Sequence, residues 1–127
     1  MKKIISTKEA PSAIGPYNQA TAYGNLIFTS GQIPLVPETM EIVSGGIKEQ
    51  STLVMDHLSA VLKEAGSSMN NILKTTCYLS DMSDFTAFNE VYSNYFSSEN
   101  APARATIAVK TLPKNVLVEV DAIAFKN

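Results

Sequence analysis

One cysteine and one histidine in 127 residues leave few of the usual catalytic side chains. A lone Cys77 closes no internal disulfide and makes no CxxC redox pair, which agrees with a reducing compartment. With His57 as the only imidazole there is no Cys/His zinc set and no HExxH motif, so no metal site is expected. Cys77 sits in the strand-like run ILKTTCYLS and reads as a small core residue. His57, in STLVMDHLSAVLKEAG beside an apolar stripe, reads as a packed or surface histidine. Chemistry performed by this chain is expected to work without metal, thiol or imidazole.

Charge is scarce as well. Ten Lys and Arg oppose twelve Asp and Glu, a formal charge of −2, and no window gathers the basic cluster that would neutralise a run of phosphates. Nucleic acid is therefore not an expected partner. Nowhere is there a run of about 18 apolar residues, and MKKIISTKEAPSAIG has no apolar stretch behind its lysines. These absences predict a cytoplasmic protein that does not engage a membrane. Internal repeats and low-complexity segments are missing too, and the length fits one domain, residues 1–127, that hides about two-thirds of its unfolded surface. Hydrophobic residues, 45% of the chain, are sufficient for its core.

Residues 25–30, NLIFTS, read as a strand ending in the Gly31-Gln32-Ile33-Pro34 loop. From Gly46 the period changes: Ile47, Gln50, Val54, His57, Leu58, Val61, Leu62 and Ala65 form a helical stripe that stops at Gly66. The β-rich segment 71–80 follows, then Asp81 and Ser83 as candidate N-caps. A second helix carries Phe85, Phe88, Val91, Tyr92, Tyr95 and Phe96 on one face, an aromatic stripe that reads as core. Strands at 103–109 and 116–125 flank the loop 110–115. The order is β-β-β-α-β-α-β-β, an α+β fold with two helices on one face of one sheet. In the last strand both faces are largely apolar, Val116, Val118, Val120, Ala122 and Ala124 on one and Leu117, Ile123 and Phe125 on the other. Two helices cover only one of them, so the second predicts a homo-oligomer.

Within NAPARATIAV, residues 100–109, the guanidinium of Arg104 stands in a run that otherwise reads as a buried strand. Burying an arginine without an anion is costly. Alternation groups Arg104 with Thr106 and Ala108. A simple hairpin about the loop would bring Arg104 opposite Glu119. Two readings stay open: a structural ion pair that sets register, or a guanidinium fork for a ligand carboxylate or phosphate with Glu119 as proton acceptor or water-positioning group. The turn Ser30-Gly31-Gln32 can bring a backbone N–H close to such a ligand.

Together IGPYNQA (14–20), TSGQIP (29–34), FNEVYSNYF (88–96), PARATIAV (102–109) and LPKNVLVEVDAIA (112–124) resemble the RidA/YjgF family of reactive-intermediate deaminases. The resemblance implies a chorismate-mutase-like protomer with a mixed sheet and a homotrimeric barrel-like assembly with ligand clefts between subunits. It implies hydrolysis of 2-imino acids or their enamine tautomers (2-iminopropanoate, 2-iminobutanoate) to 2-oxo acids and ammonia, protecting pyridoxal-phosphate enzymes, with no cofactor of its own. By position, Arg104 would bind the substrate carboxylate and Glu119 would position or activate water. Tyr17 would line the cleft from a neighbouring subunit, Ser30 and Gly31 would border the ligand, and Asn89 would sit beside it. Many relatives carry Ser-Cys after the arginine where this chain has Ala105-Thr106, and the resemblance implies a contact through the backbone carbonyl of Thr106. Other readings are a binding or regulatory module that senses a 2-oxo acid without turnover, and an RNA-directed activity, since family members have carried labels such as translation inhibitor and ribonuclease.

Overall fold

The computed structural model describes Met1–Asn127. Its strands are β1 (Lys3–Ile5), β2 (Ala20–Tyr23), β3 (Leu26–Thr29), β4 (Ile72–Leu79), β5 (Ala103–Ala108) and β6 (Val118–Phe125), and its helices are α1 (Ile47–Glu64) and α2 (Phe85–Tyr92). The element order is the one the sequence predicts. Helix α1 ends as its stripe requires: Gly66 turns left-handed at φ +81°, Ser67 N–H donates to the Leu62 carbonyl at 2.8 Å and Gly66 N–H to that of Lys63 at 3.1 Å. That pair of bonds is a Schellman closure, which a Cβ at Gly66 would strain. Asp81 caps a one-turn helix before α2 by accepting the Ser83 N–H at 2.8 Å, so Ser83 lies inside that turn and is not itself a cap.

All six strands form one sheet in the order β1-β2-β3-β6-β4-β5. Every pairing is antiparallel except β4 with β5, which run parallel with Thr75 beside Arg104 and Cys77 beside Thr106. This overturns the expected hairpin. Strand β6 pairs with β3 and β4, and β4 separates it from β5. The cause is α2: to bury Phe88, Val91 and Tyr92 it must lie on the sheet, and a strand, helix, strand crossover returns β5 parallel to β4. Strand β6 then takes the other edge of β4, where Val118, Val120, Ala122 and Ala124 are all buried under the helices.

The core lies between the sheet and the helices. Val54, Met55, Leu58, Val61 and Leu62 of α1 meet Ile27, Leu79 and the buried face of β6, all within one cluster. His57 belongs to this layer as a structural residue. Its Nε2 lies 2.7 Å from the Leu35 carbonyl, which can only accept, so Nε2 carries the proton. Burial, the larger influence, holds its pKa below the ordinary value against that bond. Cys77 is a core residue too, its thiol pushed up to about 11 chiefly by burial. Leu58→Ala should destabilise the protein by about 2–5 kcal/mol, the sum of lost transfer energy and a residual cavity, as read by urea unfolding.

The other face of the sheet has no helix. Phe28 and Ile107 are 42% and 48% exposed there, with Ile4, Leu26 and Phe125 also open. These apolar side chains lie uncovered in the single chain.

Candidate functional site

Register decides which way Arg104 points. Its partner Thr75 is buried on the helix side of β4, so Arg104 also projects to that side, and β5 as an edge strand leaves it exposed. The expectation of a buried arginine is corrected by that edge position. There the guanidinium meets α2. Nη1 donates to Asn89 Oδ1 at 2.7 Å, and Cζ lies 4.6 Å from the centre of the Tyr92 ring and 5.5 Å from that of Phe85. None of these partners is an anion, so the positive charge is held but not neutralised. Arg104 and Asn89 line one cavity with Ser93, Ser97 and Pro102. The Asn89 amide oxygen is occupied by the Arg104 guanidinium, which places Asn89 beside the fork.

Glu119 is elsewhere. It pairs with Tyr78 on the open face of the sheet, the face opposite Arg104, and no ion pair joins the two. The internal salt bridge inferred from hairpin spacing does not exist. Glu119 instead packs on Gly31: a Cβ added at Gly31 would lie 2.7 Å from the Glu119 carboxyl carbon and 3.0 Å from its Cγ. A bridge between Gln32 and Val120, with bonds of 2.8 and 3.2 Å, clamps the Gly31 turn against β6. The Gly31 N–H finds no acceptor in the protomer, and the Ser30 hydroxyl donates to the Asn18 carbonyl at 2.5 Å, which leaves its lone pairs available. Tyr17, Ser30, Gly31 and Glu119 line one pocket with Ile33 and Pro113.

The residues expected at the site thus fall into two sets on opposite sides of one sheet. Arg104, Asn89 and Thr106 belong to the helix side. Tyr17, Ser30, Gly31 and Glu119 belong to the open side. Thr106 Oγ1 is buried without a hydrogen-bond partner, so its side chain turns inward beside Cys77. Sequence reasoning missed the support around each set: Tyr92 and Phe85 beneath Arg104, and Tyr78 and Asp121 near Glu119. The aromatic stripe was visible, but only tertiary packing shows that two of its rings face a cation.

Burial, and secondarily the Asp121 charge, raises the Glu119 pKa above its ordinary 4.5. Asp121 is also raised by burial, against the lowering effect of the Tyr78 hydroxyl 3.3 Å away. These two carboxyls therefore bind more protons in the native chain than in the unfolded one between their ordinary and raised values, and their contribution to stability falls as pH rises through that window. The melting temperature of the wild type should therefore decline more steeply than that of Glu119→Gln as pH rises above the ordinary carboxylate values, while His57, whose lowered pKa acts in the opposite sense, contributes equally to both.

No three His, Cys, Asp or Glu side chains converge to hold a metal ion, and no helix is long and apolar enough to cross a membrane. Residues 7–126 match the family model described as Endoribonuclease L-PSP. A RutC family protein of Pyrococcus abyssi is 54% identical over 125 residues, 98% of each chain. TdcF of Escherichia coli, named for the reactive intermediate deaminases, is 43% identical over 129 residues, covering 100% of this chain and 99% of TdcF. The chain belongs to the RidA/YjgF family. Solved RidA/YjgF structures share its fold. The crystal structure of TdcF with bound serine superposes with a TM-score of 0.91 at 41% identity, covering 98% of this chain and 99% of TdcF. One from Thermotoga maritima, described as an endoribonuclease, gives a TM-score of 0.95 at 46% identity, covering 100% of this chain and 99% of that one.

Proposed function

We propose that this RidA/YjgF protein is a cytoplasmic deaminase that hydrolyses 2-imino acids, including 2-iminopropanoate and 2-iminobutanoate, and their enamine tautomers to 2-oxo acids and ammonia. Its sites lie between subunits of a homotrimer and need no cofactor. The observation that carries this reading is the division of the candidate residues. An unneutralised guanidinium opens on one side of the sheet, and a carboxylate beside a free N–H opens on the other. Neither set suffices alone, and only a second copy of the chain can bring one against the other. The uncovered apolar face supplies a reason for the copies to associate. Serine bound to TdcF supports a small ligand carrying a carboxylate and a nitrogen on the same carbon.

The chemistry such a cleft performs is modest. A protonated imine is already electrophilic at C2, so the protein need only hold it, place a water and manage protons. Arg104 holds the carboxylate with two parallel N–H bonds while Asn89 steadies the fork. Gly31 N–H donates to the ligand, and Tyr17 and Ser30 border it. Glu119 accepts a proton as the water oxygen adds to C2, which gives a carbinolamine. The same proton then goes to nitrogen, the C–N bond breaks and ammonia leaves. The hydroxyl proton passes by way of Glu119 to that ammonia as the C2 carbonyl forms. A carboxylate with a raised pKa suits this shuttle, because it is a stronger base towards the attacking water than an ordinary carboxylate and still acid enough to return the proton to nitrogen. An RNA-directed activity draws no support from a net charge of −2 without a basic stripe.

The decisive assay couples an amino acid dehydratase to chemical trapping of its imine product. Catalytic amounts of this protein should speed 2-oxo acid formation and deplete the trapped imine. Unchanged kinetics would overturn the deaminase reading and leave a binding module that uses the same cleft.

A further inference from the structure

We propose that Tyr92, locked by the buried hydroxyl of Thr75, is a positioning residue that sets the direction of the Arg104 guanidinium; its consequence for substrate rests on the deaminase reading. Arg104 is the sole arginine of the chain. Its side chain is exposed on an edge strand, where an unsupported arginine samples many rotamers and loses that freedom on binding a carboxylate. The hydrogen bond to Asn89 fixes one corner of the fork but leaves rotation about that corner open. A ring face 4.6 Å beneath Cζ removes the rotation by holding the guanidinium plane.

That ring is itself immobile, for reasons not required by a core aromatic alone. Tyr92 is only 6% exposed, with Phe88 and Phe96 at centroid distances of 5.6 and 4.9 Å. Its phenol oxygen lies 2.7 Å from Thr75 Oγ1, and Thr75, fully buried, is the register partner of Arg104 on the adjacent strand. One strand pair therefore carries both the backbone from which Arg104 springs and the hydroxyl that pins the ring beneath it. Any shift of α2 that would carry Tyr92 away breaks this bond and leaves the buried Thr75 hydroxyl with only the weak Cys77 thiol contact at 3.8 Å. The guanidinium is thus aimed by the sheet, through Thr75, as well as by the helix.

Two readouts test this, one independent of turnover. Because there is a single arginine, its Nε–H gives one assignable NMR signal in the protein as assembled. Tyr92→Leu should speed exchange of that proton with water about tenfold, and Tyr92→Phe and Thr75→Val each a few fold. The double variant Thr75→Val/Tyr92→Phe should be no worse than the poorer single one, since both changes break the same bond. Titration with 2-oxobutanoate should show parallel losses of affinity, and KM should rise while kcat stays within about twofold of the wild type. A purely packing role predicts unchanged Nε–H exchange in Tyr92→Phe and Thr75→Val despite reduced stability, and that result overturns the proposal even if Tyr92→Leu fails to fold. Absence of 2-oxobutanoate binding in the wild type would count against the deaminase reading, while the exchange rates would still decide the role of Tyr92.

Discussion

Arg104→Ala should lower kcat/KM for a 2-imino acid by roughly a thousandfold and leave the fold intact. Each charge-assisted bond to the substrate carboxylate contributes about 1.5–3 kcal/mol, and two are lost together with the orientation they give C2. The fold survives because the side chain is exposed and its contacts are one amide oxygen and two ring faces. Arg104→Lys should recover little, since a single ammonium cannot reproduce the planar fork. Circular dichroism and size-exclusion measurements separate loss of function from loss of structure: a variant that fails to fold or assemble would return Arg104 to a structural role. The same variant tests the divided site. Arg104→Ala and Glu119→Gln chains, unfolded, mixed in equal amounts and refolded together, should regain roughly a quarter of wild-type activity, the chance that a cleft draws an intact half from each neighbour. If Arg104 and Glu119 served within one protomer, no mixture would recover anything.

Gly31→Ala should be the second severe change, and it adds only a methyl group. The Gly31 φ is not left-handed, so the backbone accepts alanine, and the damage comes from the overlap of that methyl with the Glu119 carboxyl. Glu119 must swing away or the turn must detach from β6. Either outcome removes the proton-handling group from its water, at a cost of about a hundredfold in kcat, with about 1–3 kcal/mol of stability lost to overpacking. Wild-type kcat in Gly31→Ala would show that the location of Glu119 is immaterial and would remove it from the mechanism.

Local signals carried much of this molecule into view before any fold was known. The stripe from Ile47 to Ala65 with its stop at Gly66 is a helix because the period and the left-handed closure are both properties of neighbouring residues. Cys77 and His57 were readable as structural from the apolar runs around them, and both are buried. Strand pairing was not readable. The loop read at 110–115 fits a hairpin as well as it fits a passage around β4, and nothing local to residues 103–125 distinguishes them. The choice lies with the aromatic face of α2, some distance back in the chain, which can be buried only by a crossover.

That difference explains how far the site itself could be read. Arg104, Glu119 and the Ser30-Gly31 turn stand out by side-chain type and setting in a short run, which are local properties, and Tyr17 and Asn89 enter through the resemblance of their motifs to a known family. Alternation within β5 and β6 says only which neighbours share a face, and it carries no information on whether the face of one strand is the face of another. Packing α2 onto the sheet and inserting β4 between β5 and β6 decided that Arg104 faces the helices and Glu119 the open side. Composition and periodicity by themselves determined the element order and much of the core, and the resemblance of short motifs to a known family supplied the candidate residues. Tertiary structure alone decided that these residues divide between two faces, because relative facing is set by long-range strand order, which no short stretch of sequence encodes.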